Sequence, residues 1–477
     1  MVFHSHAFIL LFLPLSVIAY FLAAKRSARA GILTLLAASV LFYALYSPAG
    51  AALVCADLAV HYGLYRWMRS RPADARRPVR TLSIVLSIVF LFVFKYASSA
   101  VAFFSGLAGS GFVLRSILVP AGISFLTFSK ISFMIDESSD DAPLRSADEF
   151  FLYMLYFPKV LSGPIVRPEE LLAQFRQPER ASVNWAHICE GLYSFSIGLA
   201  KKVLIADFLG ILVDACYAKP AACSGVEALA AIFGFSLQLY FDFSGYSDMA
   251  VGVARMMNID LPQNFNSPYK ALDITDFWRR WHITLTGFLT RYLYYPLGGN
   301  RKGKARQYLN ILIVFAVSGI WHGVGLTFLV WGLLHGLMSV LTRMIRPRLK
   351  RQLRVPSVAV TFLLVTFAWV FFRAQSLPDA VTMLLRPFSG LGNFNDDLVE
   401  SLLQPTLFNV LTQALPFKAA LALVFAALGA VVFFTKNTAE RTAAFRPTFR
   451  TALVTFLLLV VSLLSFTAVT SFIYGGF

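Results

Sequence analysis

The chain is 477 residues long, 58% hydrophobic and only 14% charged, with a mean hydropathy of +0.68. Soluble domains carry about 25% charged residues, so this composition describes a polytopic membrane protein. The net charge of +17 does not indicate nucleic acid, because the Lys and Arg residues lie between apolar runs, where they set topology.

Apolar runs of about 17–25 residues, the length of helical spans, recur along the chain. An outer-membrane barrel would show alternating segments of about ten residues instead. About twelve spans are expected, near 7–24, 30–47, 50–67, 81–97, 118–136, 191–213, 226–254, 307–323, 326–344, 355–373, 417–435 and 452–471. The first is long for a signal h-region, and its positive charges (Lys25, Arg26, Arg29) follow it. It is therefore expected to be a true span with its N-terminus outside. The connectors at 25–29, 66–80, 301–306, 343–354 and 436–450 are all basic and, with twelve spans, fall on one side, the cytoplasmic one. The connector around 392–415, with Asp396, Asp397 and Glu400, falls on the other. Both termini then lie outside.

Three segments do not fit full spans: 106–119, 150–166 and 273–297. They are expected to be re-entrant or interfacial helices, which need protein or a wet cavity around them. The fold class is thus all-α and polytopic, a single domain over 1–477. Cys216 and Cys223 flank a short connector, and their pairing is left open by the sequence. No Cys/His spacing suits a metal.

The candidate chemistry lies between Asp273 and Gly336, where two Trp-His pairs occur, Trp281-His282 and Trp321-His322. His322 ends an apolar run in VSGIWHGVG, beside Ser318 and flanked by glycines. Imidazole is the side chain best suited to take and return a proton near neutral pH, and an ionisable group at membrane depth is costly unless it serves a site. The competing reading is a histidine that only packs helices together. His282 sits in DFWRRWHITLTGF, read as one helix capped by Asp273 or Asp276 with Trp278, Trp281, Leu285 and Leu289 on its buried stripe. Here an interfacial anchor is an equal alternative. His335 is read as structural.

The stretch QLYFDFSGYSD places Gln238, Tyr240, Asp242, Ser244 and Asp248 in one span, with Gln238–Asp242 and Ser244–Asp248 at i,i+4 spacing. Tunnel lining and a polar packing network are both open for them. Arg167, Arg279, Arg280, Arg301 and Lys302 are the cations available to an anionic donor; the bland reading for the 301–306 loop is topology alone. No nucleotide-binding glycine motif stands in a strand-to-helix context.

VPAGISFLTFSKISFMID, FPKVLSGPIVRP, LQLYFDFSGYSDMAVGVARMMNI, NFNSPY, DFWRRWHITLTGFLTRYLYYPLGGNRKG and SGIWHGVGLTFLVWGLLHG together make the chain resemble the membrane-bound O-acyltransferase superfamily, in its bacterial alginate O-acetyltransferase branch. The resemblance covers most of the chain, with the final third only generically similar. It implies tilted helices around a central tunnel with His322 at the waist and His282 facing the same space. Trp278, Trp281, Trp321 and Ser318 would line it or stand behind it. It further implies a bacterial inner-membrane enzyme with no bound cofactor. Its donor would be a cytosolic thioester, acetyl-CoA, and its acceptor an exopolysaccharide, reached directly or through a periplasmic SGNH-hydrolase-like partner. Membrane lipid is the other expected contact; nucleic acid is not. The alternatives are D-alanyl transfer to teichoic acid, a proton-coupled transporter that moves substrate without covalent chemistry, and a scaffold for a synthase.

Overall fold

The computed structural model describes residues 2–108, 118–348, 353–404, 406–466 and 472–473, and among them every regular element is a helix. They gather into two compact units, 1–195 with 249–262, and 196–248 with 263–477.

The first unit opens with α1 (Leu13–Ala24) and α2 (Ala28–Tyr46). α2 starts where Ser27 accepts a hydrogen bond from Ala30 N at 3.1 Å. α3 (Pro48–Arg69) follows at once, because Ser47 caps it and proline is pre-organised for the first helical position. Then come α4 (Arg76–Leu91), α5 (Ala97–Ala108) and α6 (Ile123–Asp136). A capping box of Ser146 and Glu149 starts α7 (Ala147–Leu155), and Pro168 opens α8 (Pro168–Phe175). α9 (Trp185–Ala200) and α11 (Gly225–Met256) have residues in both units.

The second unit contains α10 (Asp207–Ala218), the short pair α12 (Ile274–Arg280) and α13 (Ile283–Leu289), α14 (Gly303–His322), α15 (Leu326–Ile345) and α16 (Arg354–Arg373). Further helices, Phe417–Phe434 among them, complete it.

Among the described residues, six helices are long and apolar enough to cross a membrane: Ala28–Tyr46, Ala73–Ala102, Gly225–Met256, Leu326–Ile345, Arg354–Arg373 and Phe417–Phe434. Phe8–Ala24 and Phe449–Leu464 are shorter and apolar. The span expected at 118–136 is the 14-residue α6. At 1.5 Å per residue it reaches about 21 Å, short of a hydrocarbon core of about 30 Å. The span expected at 191–213 lies within a continuous helical run, 185–218, in which a π-helical stretch, Lys201–Ala206, joins α9 to α10.

Most of 106–119 lies outside the described residues. The 150–166 segment is α7 followed by turns, and Leu152–Val160 are all buried, so its irregular backbone is enclosed in protein. The 273–297 segment is not one helix but two, interrupted at His282. All four cysteines are free thiols; Cys223 Sγ lies 3.4 Å from the Cys216 carbonyl and donates to it.

α14 and α15 form a hairpin whose backbones touch. A Cβ on Gly332 would come within 2.3 Å of the Phe315 carbonyl oxygen, and one on Gly319 within 2.4 Å of the Phe328 carbonyl oxygen. Only glycine permits that approach. Gly332→Val is expected to destabilise the solubilised protein by about 1–3 kcal/mol, the usual cost of overpacking, seen as a lower thermal midpoint. Gly429→Val, whose Cβ faces open space, is the control. Equal midpoints for both variants would mean that the hairpin separates freely.

Candidate active site

The break at His282 is built by the segment before it. Asp273 caps α12 by accepting from Asp276 N at 2.8 Å, and the helix ends at Arg280. Asn266 N then donates to Arg280 O at 2.9 Å, and Ile283 N donates to Asn264 O at 3.0 Å. Held between these two bonds, His282 takes φ 44° and ψ 54°, left-handed values that cost a non-glycine residue free energy. Its ring is fully buried. Asn264 Oδ1 lies 3.4 Å from His282 Nδ1 and accepts from Thr284 Oγ1 at 2.7 Å. Asn264 is therefore the residue that orients His282. It lies in the NFNSPY block, and its contribution was invisible in sequence because the pairing spans a turn.

His322 is the last residue of α14 and is 3% exposed. It is enclosed by aromatic edges: the Trp321 ring centre lies at 4.7 Å, Trp331 at 5.0 Å and Phe372 at 5.3 Å. Trp321 also bridges to His282, 6.4 Å between ring centres. Both histidine rings thus neighbour one indole.

His335 belongs to the same cluster, 5.1 Å from Trp331, but its Nδ1 accepts the Trp278 indole N–H at 3.3 Å. That bond fits a positioning histidine. Trp281, 1% exposed, packs on Trp369 at 5.0 Å and beside Tyr240 at 6.4 Å.

A cavity of about 430 Å³ opens beside this cluster. Thr275, Trp278 and Arg279 of α12 and Leu285, Thr286 and Leu289 of α13 form one wall; Phe315 and Ser318 of α14 and Ser339 and Arg343 of α15 form the other. Ser318 is one helical turn before His322, and Trp278 touches His335, so the cavity reaches the aromatic layer around the imidazoles. His282 and His322 do not themselves line it. Arg279 and Arg343 are exposed cations on its wall. Arg343 is a residue that sequence reading missed, because it looked like one more topology charge.

The other expected cations are elsewhere. Arg280 is paired with Asp276 at 2.9 Å, and Arg301 and Lys302 are exposed in the loop before α14 without lining the cavity. The loop itself is clasped to α14 by Asn310 Nδ2, which donates to Gly299 O at 2.9 Å. Arg167, in the other unit, pairs with Asp136 at 3.0 Å.

The α11 carboxylates do not pair along their own helix. Lys202 Nζ holds Asp242 at 2.7 Å and Asp207 at 2.9 Å, while Lys201 Nζ holds Asp248 at 2.6 Å. An ammonium offers a buried carboxylate a full opposite charge, which outweighs an i,i+4 side-chain hydrogen bond. Ser244 Oγ lies 3.4 Å from Lys201 Nζ, and the Gln238 amide packs over Gly210. The i,i+4 pairing expected from sequence is thus replaced by cross-helix ion pairs. Among the described residues, no three Cys, His, Asp or Glu side chains gather in a group suited to a metal.

Comparison with known proteins identifies the scaffold that carries this cluster. Residues 138–377 match the membrane-bound O-acyltransferase family. The chain belongs to that family. It is 36% identical to a peptidoglycan O-acetyltransferase of Helicobacter pylori, over 80% of this chain and 79% of that protein. It is 37% identical to a probable alginate O-acetylase, AlgI, of Pseudomonas aeruginosa, over 82% of this chain and 75% of that one. A teichoic acid D-alanyltransferase of Bacillus subtilis is 26% identical over 53% of this chain and 68% of its own length. The protein is a membrane acyltransferase, and the match contains α12 to α15 and both Trp-His pairs.

Removing one member of a buried ion pair leaves the other charge uncompensated, at a cost of about 3–5 kcal/mol. Asp242→Ala is expected to lower the thermal midpoint accordingly, and the double variant Lys202→Met/Asp242→Leu to recover much of the loss, Asp207 being left half-hydrated. Loss of acyl transfer by Asp242→Ala at an unchanged midpoint would instead make Asp242 a participant in the chemistry.

Proposed function

We propose that this protein transfers an acetyl group from a cytosolic thioester, acetyl-CoA, across the bacterial inner membrane to a hydroxyl of an exported polysaccharide, directly or through a periplasmic SGNH-hydrolase-like carrier. The observation that carries the reading is the burial of His322 at the end of α14, one turn beyond the Ser318 wall of a cavity that bears Arg279 and Arg343. Acetyl is favoured over D-alanyl transfer by the longer and closer match to the O-acetyltransferases, 36–37% over four-fifths of the chain against 26% over half.

In this mechanism the imidazole of His322 accepts the acceptor hydroxyl proton as the oxygen attacks the thioester carbonyl. The C–O bond forms, the C–S bond breaks, and the imidazolium returns its proton to the departing thiolate. His282, oriented by Asn264 and neighbouring the same Trp321 ring, positions the reacting group or steadies the oxyanion. The aromatic enclosure excludes water that would otherwise hydrolyse the thioester. The tunnel of the family would pass between the two imidazoles, and the remaining expected spans and the outward termini belong to this reading.

A positioned general base contributes roughly 10²–10⁴ in rate. His322→Ala is expected to reduce acetyl incorporation by about that factor, in membranes holding equal amounts of protein. His322→Gln is expected to do no better, because an amide cannot take and return the proton. His282→Ala should cost less, and His335→Ala least. Near-normal incorporation by both His322 variants would remove the mechanism.

The cavity mouth is tested separately. Arg279→Gln/Arg343→Gln is expected to raise the donor KM about fivefold, the effect of roughly 1 kcal/mol of exposed charge pairing, with less effect at high salt. Arg301→Gln/Lys302→Gln should change KM less, since neither residue lines the cavity. The reverse order would assign donor gathering to the loop.

A further inference from the structure

The corner between α10 and α11 brings two thiols together. Cys216 lies in the last turn of α10 and Cys223 in the connector just before α11, with a tight turn, Pro220–Ala222, folding the chain back between them. The turn sets Cys223 Sγ 3.4 Å from the Cys216 carbonyl and 3.6 Å from that of Lys219. Cys216 Sγ lies 3.8 Å from the Glu227 carbonyl of α11. The two thiols are within hydrogen-bond reach of each other. Both lie just below the surface, Cys216 2% and Cys223 8% exposed, beside the exposed Ala215, Ala221 and Ala222. Arg386 is close enough to Cys223 to favour its thiolate, the form that reacts.

The corner is held from both sides. Glu227 accepts from Ser224 N at 2.8 Å and from Asn395 N at 2.6 Å, and Val226 N donates to Leu391 O at 2.8 Å. A Cβ on Gly225 would come within 2.3 Å of the Gly390 carbonyl oxygen. On the α10 side, Asp214 pairs with Arg373 at 2.6 Å, and the Arg373 guanidinium lies over the Tyr217 ring at 5.4 Å. Arg373 ends α16 directly after Phe372, which packs on His322. The dithiol therefore stands where α10, α11 and the end of α16 meet the 390–395 segment.

We propose that Cys216 and Cys223 are a reversible disulfide site whose closure staples this corner. The oxidant is another disulfide, acting by exchange. Cys223, the more exposed, attacks first: its thiolate bonds to one oxidant sulfur, the oxidant S–S bond breaks, and one thiol leaves. The Cys216 thiolate then attacks the Cys223 sulfur of the mixed disulfide, closing the protein bond and releasing the second thiol. The two protons lost by the cysteines end on the two thiols released, and two electrons reduce the oxidant. The pairing is independent of the role of His322. Its formation in the cell rests on this corner lying on the outer, oxidising side, as the proposed topology has it.

The test treats the full chain in detergent with oxidised glutathione, alkylates the remaining thiols and reads the peptides by mass spectrometry. The peptide holding Cys216 and Cys223 is expected to lose two hydrogens and to resist alkylation, and dithiothreitol should restore both thiols. Cys216→Ser should leave Cys223 trapped as a glutathione adduct, whereas Cys223→Ser should leave Cys216 unmodified. Closure should raise the thermal midpoint by about 2–4 °C in the wild type and in His322→Ala, and in neither serine variant. Alkylation of both thiols after oxidation, a separate glutathione on each, or a midpoint lowered by closure would overturn the proposal. A second arm alkylates intact, aerobically grown cells before lysis. Recovery of the closed pair supports its formation in the cell. A pair that closes in detergent but is fully alkylated in those cells would overturn the outward placement of the corner, and with it the physiological disulfide.

Discussion

The backbone contact between α14 and α15 is the constraint on which the packing of the second unit around its histidines depends. Because Gly319 and Gly332 carry no side chain, the two helices approach until carbonyl oxygens meet α-carbons. At that separation Trp331 of α15 is pressed against His322 of α14, and Trp331 in turn stacks on Trp369 of α16, 5.5 Å and 17° between rings. A wider hairpin would admit lipid or water between these rings. The imidazole would then be one more interfacial side chain instead of a group whose proton has few places to go.

Around that contact the unit spends its buried charge sparingly. Lys201 and Lys202 leave the π-helical stretch in different directions and each takes one carboxylate of α11, so the most expensive groups cancel in pairs. Asp242 also accepts the backbone N–H of Ile473 at 2.9 Å, which ties the late part of the chain to α11. Polar groups at the histidines are handled differently. Asn264 and the Trp278 indole fix imidazoles by direct hydrogen bonds, without bringing a counter-charge to them.

Much of this was legible in the sequence, for reasons that differ by element. Helices such as α2 and α15 follow from long apolar runs, and α14 ends at His322, where Gly323 and Gly325 follow it. The cost of ionisable residues in apolar runs pointed to His322, Asp242 and Asp248. Partners were harder. A helical period suggested that Asp242 would look along its own helix to Gln238, whereas its ammonium comes from a helix forty residues earlier. The same periodic reading carried one helix through His282, because Trp278, Trp281, Leu285 and Leu289 do fit a stripe. Nothing in the local pattern shows that Asn264 and Asn266 reach across and stop the helix at Arg280. The 14-residue α6 likewise reads as a span until its turns are seen.

The left-handed backbone at His282 bears on how this site could be varied. Asparagine tolerates that conformation better than other residues with a Cβ, and glycine accepts it freely. Exchanging His282 for asparagine therefore separates two quantities that an alanine scan confounds: the shape of the corner and the chemistry of the ring mounted on it. The corner also limits transplantation. An imidazole grafted at the same helical register of a continuous helix would leave along a different vector, so a designed copy of the site needs the bend before it needs the histidine.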